Sequence, residues 1–193
     1  MMTPAESIAP AYFEEKYAAD ADPWEFETSP YERAKYDATL AALPRPRYAS
    51  AYEIGCSIGV LTERLAARCG RLLASDVSET ALDMARKRCA DLPHVAFENR
   101  RLPASFPDDV FDLIVFSEVG YYLSEPDLVR ARDGLVERLA TGGHVLLVHW
   151  TPVVPHYPLT GDRVHEVVLA TEGLRVLESA RAPKYRLDLA ERS

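Results

Sequence analysis

Cysteine is scarce in this chain and has no pattern in which to work. Its three thiols, Cys56, Cys69 and Cys89, stand far apart in 193 residues, with no CxxC pair and an odd count. That argues against a disulfide framework and against the common zinc motifs, and for a reducing cytoplasm. No window approaches the roughly 18 uninterrupted apolar residues that span a bilayer. The opening stretch, MMTPAESIAPAYFEEKY, is acidic and lacks the basic and apolar regions of a signal peptide. Positive charge is short as well: 22 Lys and Arg against 30 Asp and Glu leave a net charge of −8. The one basic cluster, Arg86-Lys87-Arg88, falls on an expected helix and reads as a solvated face. Neither nucleic acid nor a membrane is expected as a partner. Two nucleotide motifs are also missing. GxxxxGK[ST] does not occur, which disfavours nucleoside triphosphates. The dinucleotide pattern GxGxxG would need glycines where Ser57 and Val60 stand.

What the chain has is alternation. Residues 4–19 and 30–43 read as helices, the second opened by Ser29 and Pro30 and closed before Pro44 and Pro46. Strand patterns then run over 49–54, 71–76, 94–98, 110–117 and 143–150. Helical patterns fall at 58–68, 78–89, 124–139 and 162–171. Two last strands, 174–180 and 184–190, are joined by a turn containing Pro183, so at least one is antiparallel. Strands separated by helices of ten to fifteen residues build βαβ units and a parallel sheet covered on both faces. The expected fold is α/β: a doubly wound, mostly parallel seven-stranded sheet whose ligand crevice lies at the strand C-termini. No repeat, low-complexity tract or long linker divides it, and one domain over residues 1–193 is expected.

The most informative stretch is YEIGCSIGVL, residues 52–61. Gly55 closes the first strand, where a ligand can approach without a Cβ in the way. Gly59 enters the following helix and lets it pack close to the sheet. Free N–H groups at that helix start favour a negatively charged group. About twenty residues on, Asp76 tips the second strand in LLASDVSET, placed to accept both hydroxyls of a ribose. A glycine turn with an acidic strand tip indicates an adenosine-containing cofactor. The full pattern is E-x-G-x-[GS]-x-G, headed by Glu53.

That pattern resembles motif I of the class I S-adenosylmethionine-dependent methyltransferases. Asp76 with VSETALDMARKR, FDLIVFSEVGYYL (111–123) and LATGGHVLLVHW (139–150) resemble the family's later motifs in order and spacing, over roughly residues 45–150. The segment YFEEKYAADADPWEFETSPYERAKYDATLAALP, together with SEVGYYL, is similar to the nodulation S-type N-methyltransferases. Those act on the free amine of a de-N-acetylated glucosamine at the end of a chitin oligomer. The resemblance implies a Rossmann-like methyltransferase domain: a helical cap over 1–44, a cofactor-binding core over 45–150, and an acceptor-side segment with the final strands over 151–193. It implies S-adenosylmethionine as cofactor, S-adenosylhomocysteine as product, no metal, and a small-molecule or oligosaccharide acceptor.

By the resemblance, Glu53 and the loop Gly55, Cys56, Ser57 and Gly59 hold the methionine part of the cofactor. Asp76 takes the ribose hydroxyls, and Val77 lies against adenine. Many relatives place an aspartate toward the adenine amino group after the third strand, but here the stretch is FENRRLPASFP. Asn99, a stacking arginine, or the backbone of Arg101 and Leu102 could replace it, with Leu102 favoured. Ser117 and Glu118 end the fourth strand above the sulfonium. Glu118 either accepts the proton of an attacking amine or only orients the methionine ammonium. Tyr121 and Tyr122 wall the methyl group and stack on a sugar, or fill the core; Tyr122 joins Glu118 and His149 as a catalytic candidate. His149 and Trp150 end the fifth strand toward the acceptor, though a lone histidine is more often a satisfied structural group. Residues 151–166 read as an acceptor-side wall, and the spacing of His149, His156 and His165 matches no common metal motif. Trp24, Tyr31 and Arg33 either cover the ligand or pack on the sheet edge. Two rival readings stay open: a methyltransferase of another small acceptor, on nitrogen or oxygen, and a cofactor-binding protein without catalysis.

Overall fold

The computed structural model describes residues 6–193, which form two compact units: residues 9–101, and residues 102–193 with 6–8. The first unit runs α1 (Pro10–Ala19), α2 (Pro30–Ala41), β1 (Tyr48–Ile54), α3 (Val60–Ala66), β2 (Cys69–Asp76), α4 (Glu79–Arg88) and β3 (Val95–Asn99). Its strands lie parallel in the order β3-β2-β1. Ile54 pairs with Ser75 and Asp76 with Asn99, so the strands end nearly level and their following loops share one edge.

Local chemistry sets the boundaries. Ser29 caps α2, its Oγ accepting the Glu32 N–H, and Pro30 occupies the first helical position, where its missing donor costs nothing. Ser78 caps α4 in the same way, accepting the Ala81 N–H at 3.1 Å. Arg86, Lys87 and Arg88 sit in the last turn of α4, where the helix dipole favours positive charge. The guanidinium of Arg68 collects the carbonyls of Leu40, Leu43, Arg45 and Pro46, which satisfies the end of α2 and the chain leaving it. Tyr48, Ala51, Tyr52, Leu72, Ala74, Ala81 and Leu82 are buried in this unit's core.

The second unit runs β4 (Phe111–Ser117), a short 3-10 turn (Gly120–Tyr122), α5 (Glu125–Arg138), β5 (Leu139–Trp150), α6 (Gly161–Leu169), β6 (Leu174–Arg181) and β7 (Tyr185–Arg192). The order is β4-β5-β7-β6, with β5 parallel to β4 and β7 antiparallel to both of its neighbours. The expected antiparallel strand is thus β7, seated inside the sheet, while β6 forms an exposed edge. β5 is buried from Gly143 to His149, as a strand covered on both faces must be.

Among the boundaries that differ from the sequence reading, three have a plain physical cause. α1 starts at Pro10, because proline disfavours helical backbone in the residue before it. Ile8 instead donates its N–H to the Tyr122 carbonyl at 2.8 Å; residues 4 and 5 of the expected helix lie outside the described residues. α3 starts at Val60 rather than residue 58, since Gly59 has φ +82°, which no right-handed helix contains. β5 begins at Leu139, taken above as the end of a helix, and pairs there with Phe111 before a register shift.

Candidate functional site

In the first unit the loop after β1 contains three residues in the left-handed region: Gly55 at φ 76°, Ser57 at φ 51° and Gly59 at φ 82°. Such a run turns backbone sharply and is held from outside. Gly55 and Cys56 both donate their N–H to the Ser75 carbonyl, at 2.8 and 2.9 Å. Ser57 donates its N–H to Asp76 Oδ2 at 2.9 Å, and Ser78 donates to Asp76 Oδ1 at 3.0 Å. One carboxylate therefore ties the loop after β1 to the loop after β2. Burial pushes the Asp76 carboxyl up, opposed by the N–H groups of Ser78, Ser57 and Val77. Each oxygen keeps capacity for a second donor. The Gly59 reading needs one correction: its close approach is to α4, where a Cβ would meet Ala85 Cα and Cβ at 3.0 Å, rather than to the sheet.

Glu53 lies one residue before the end of β1 and is 2% exposed. Burial raises its carboxyl from 4.5 to about 8, aided by the negative charge of Asp76 and opposed by the nearby Thr62 side chain. Its Oε2 is buried without a hydrogen-bond partner. A buried carboxylate oxygen left unsatisfied is costly, and what it lacks is a donor, best of all a cationic one. Cys56 beside it is a neutral packing group, since burial holds its thiol well above its ordinary value.

Helix α1 braces this loop, which the sequence reading did not assign to any residue. Tyr17 donates its hydroxyl to Ser57 Oγ at 2.6 Å, and Glu14 accepts from Ser78 Oγ at 2.6 Å and from the Thr80 hydroxyl. The signal was present: Glu14 and Tyr17 are three apart, hence on one helical face. Arg88 adds a bond from Nε to the Ile58 carbonyl at 3.0 Å, so the basic cluster is not merely solvated. Trp24 packs edge-on to Tyr17 at 5.4 Å, in a cluster with Ile58 and Ala81, which is the packing reading of that residue. Tyr31 is half-buried under Lys35 Nζ, and Arg33 is exposed with its carbonyl toward Arg64. Asn99 is turned to the Val77 carbonyl and to Glu79, 3.1 and 3.3 Å away. Val77 is half-buried and Arg101 exposed.

In the second unit Ser117 ends β4, half-buried and opposite Val148. Glu118 follows with φ 56°, a strained backbone for a side chain of that size. The strain is held by its own N–H on the Val148 carbonyl and by Oε2, which accepts the Tyr121 hydroxyl at 2.6 Å and the Trp150 N–H at 2.9 Å. Tyr121 stacks on Tyr157 with ring centroids 5.2 Å apart and planes 9° apart, and Tyr122 meets Tyr157 edge-on at 4.8 Å. Tyr157, from the proline-rich stretch, is the member of this aromatic group that the sequence reading did not single out. Trp150 carries Lys184 Nζ 5.5 Å from its ring, and Leu102 is buried.

His149 is fully buried, and both ring nitrogens are taken. Gly120 donates its N–H to Nε2 at 3.2 Å, and Nδ1 lies 3.1 Å from His165 Nε2. The sequence offered His149 as a base reaching the acceptor; the structure gives it no nitrogen for that task. His165, weighed in the sequence only as a metal ligand, continues to Asp188, which the sequence reading did not single out. The charged Asp188 within the apolar run LDLA was the available sign. His149 and His165 face each other directly, and among the described residues no group of three such side chains is arranged to hold a metal ion.

Residues 11–150 match the model of a family described as Nodulation protein S (NodS). Nodulation protein S of Rhizobium tropici is 37% identical over 131 residues, covering 67% of this chain and 55% of that protein. The protein of the same description from Bradyrhizobium diazoefficiens is 37% identical over 128 residues, covering 65% of this chain and 61% of that one. The chain thus spans little more than half the length of the curated relatives it matches. Among solved structures, the N-methyltransferase NodS from Bradyrhizobium japonicum WM9, in complex with S-adenosyl-L-homocysteine, aligns with a TM-score of 0.86. Identity there is 27%, over 95% of this chain and 98% of that one. The fold is therefore the Rossmann-like methyltransferase fold, with seven mostly parallel strands, and the chain belongs to the Nodulation protein S (NodS) family.

Proposed function

We propose that this protein is an S-adenosylmethionine-dependent methyltransferase acting as one domain, and that it N-methylates the free amine of a de-N-acetylated amino sugar or chito-oligosaccharide. The observation that carries the reading is the buried, unpartnered Oε2 of Glu53 at the head of a left-handed loop fastened by Asp76. That set of groups fits an amino-acid ligand on a nucleoside: an acidic acceptor for an ammonium, a carboxylate tip for a ribose, and bent backbone between them. The relative solved with S-adenosyl-L-homocysteine supports the same cofactor.

When bound, S-adenosylmethionine supplies an electrophilic methyl group on a sulfonium whose departure leaves a neutral thioether. The chain's part is to hold, align and deprotonate. Glu53 and the loop Gly55, Cys56, Ser57 and Gly59 take the methionine end, Asp76 the ribose, and Val77, Arg101 and Leu102 the adenine; Ser117 is a further cofactor-binding candidate. Glu118 accepts the amine proton as the new bond forms. Tyr121 and Tyr122, backed by Tyr157, present aromatic faces to the sugar, and Trp150, Tyr31 and Arg33 are proposed as further acceptor contacts. A sugar amine is only weakly basic near neutral pH, so a carboxylate is sufficient as proton acceptor. No helix among the described residues is long and apolar enough to cross a membrane, and the proposed location is the cytoplasm. The test is transfer of a tritiated methyl group to chito-oligosaccharides with and without one free amine. Label only in the free-amine oligomer supports the reading; equal label in the fully acetylated oligomer, or none in either, overturns it.

A further inference from the structure

The second unit contains a buried polar chain through four elements, and each link has one allowed direction. A backbone N–H can only donate, so the Gly120 N–H at 3.2 Å makes His149 Nε2 a bare acceptor. A neutral His149 then carries its proton on Nδ1 and donates it to His165 Nε2, 3.1 Å away. His165 Nε2 is therefore bare, its proton is on Nδ1, and that proton is donated to Asp188 Oδ2 at 2.5 Å. Asp188 is itself fixed by Arg186 Nε at 2.6 Å and by the Ser179 hydroxyl. His149, His165 and Asp188 are all fully buried, and an unpaired member would cost far more than a surface group.

The near end of this chain touches the turn that follows the proposed proton acceptor two residues on. A Cβ on Gly120 would meet Val164 Cγ1 at 2.4 Å and His149 Nε2 at 3.1 Å, so the turn is pressed against α6 and the imidazole at once. One residue on, Tyr121 reaches back with its hydroxyl to Glu118 Oε2. We infer that His165 and Asp188 are positioning residues for methyl transfer: they lock the tautomer of His149, which fixes the turn at Gly120 and, through Tyr121, the carboxylate of Glu118. The inference rests on the proposed function, and assigns roles to residues far along the chain from any methyltransferase motif. Without Asp188, His165 is free to carry its proton on Nε2. His149 then has to carry its own on Nε2, donor against donor at Gly120, and the turn must move.

Two measurements on the full chain test this. Two-bond proton–nitrogen correlation spectra of histidine-labelled protein are expected to show both His149 and His165 as neutral Nδ1–H tautomers, with the Gly120 amide slow to exchange. Kinetics then compare Asp188→Ala with Asp188→Asn. The asparagine Oδ can keep the place of Oδ2 while its amide donates to Ser179, so the tautomers survive. Loss of geometry in Asp188→Ala is expected to lower kcat by about tenfold to a hundredfold. Adenosylhomocysteine affinity is expected to stay within about twofold, and Asp188→Asn to recover kcat to within about threefold of the wild type. An Nε2–H tautomer at either histidine, equal loss of kcat in both variants, or a fall in cofactor affinity matching that in kcat would overturn the inference. Should Asp188→Ala fail to fold, the spectra and Asp188→Asn still decide it. A wild-type protein with no methyl transfer would defeat the proposed function, while the tautomers and the amide protection would still report on the chain of bonds.

Discussion

Ligand affinity should depend on pH through Glu53, and the size of the effect follows from its burial. The carboxyl is raised from 4.5 to about 8 and presents an unpartnered oxygen. A ligand ammonium gains from the ionised form only, so the binding-competent fraction is the ionised fraction. That fraction is about 1% at pH 6 and about half at pH 8, which corresponds to about a fiftyfold rise in apparent affinity for adenosylhomocysteine, or roughly 2.3 kcal/mol. Nearly one proton should be released per ligand bound at pH 6.5. Calorimetric titrations in buffers of different ionisation enthalpy measure both quantities. Stability without ligand runs the other way. Below about 4.5 the carboxyl is protonated whether folded or not; as pH rises toward 8 the unfolded chain gives up its proton while the folded chain retains it. Folding stability therefore falls across that window, by an amount on the order of 5 kcal/mol once pH exceeds the folded value. Glu53→Gln removes the titration, so it should raise the thermal midpoint of the free protein at pH 8.5, leave it unchanged at pH 4, and flatten the pH dependence of binding. The same pH slope in the variant as in the wild type, or binding without proton release, would refute the reasoning.

Three further outcomes are expected. Asp76→Asn turns an amide N–H₂ toward the N–H of Ser57 or Ser78, and leaving one of those donors unpaired should cost about 1–3 kcal/mol by chemical denaturation. Adenosylhomocysteine affinity should fall at least about tenfold with it, and unchanged affinity would remove the ribose assignment. Gly59→Ala imposes φ +82° on a residue with a Cβ, about 1–2 kcal/mol before its contact with Ala85 at 3.0 Å is counted, and should lower the thermal midpoint by several degrees; an unshifted midpoint would contradict the packing. Glu118→Gln should lower kcat by about a hundredfold with little change in cofactor affinity, whereas equal loss of both would make Glu118 a cofactor ligand only.

The fold was readable because its signals are local. Ser29-Pro30 and Ser78 mark helix starts through bonds three residues away, and the apolar runs 111–117 and 143–150 can only be buried strands. The loop after β1 was readable for the same reason, since glycine at φ 76° and 82° has few substitutes. What escaped depends on contacts distant in sequence. Tyr17 reaches Ser57 and Glu14 reaches Ser78; their spacing puts them on one helical face but does not name the partners. His149 was misplaced because its position at a strand tip suggested exposure, whereas its two partners come from the Gly120 turn and from α6. The packing of Trp24 depends on neighbours in α1 and α4, and sequence spacing within 22–36 held no information about them.

A crystal structure of this protein soaked with S-adenosylhomocysteine tests the central claim most directly. The expected density places the ribose hydroxyls on the Asp76 carboxylate and the methionine ammonium within reach of Glu53 Oε2. A ligand bound elsewhere, or a strand-end crevice left empty at saturating concentration, would contradict it.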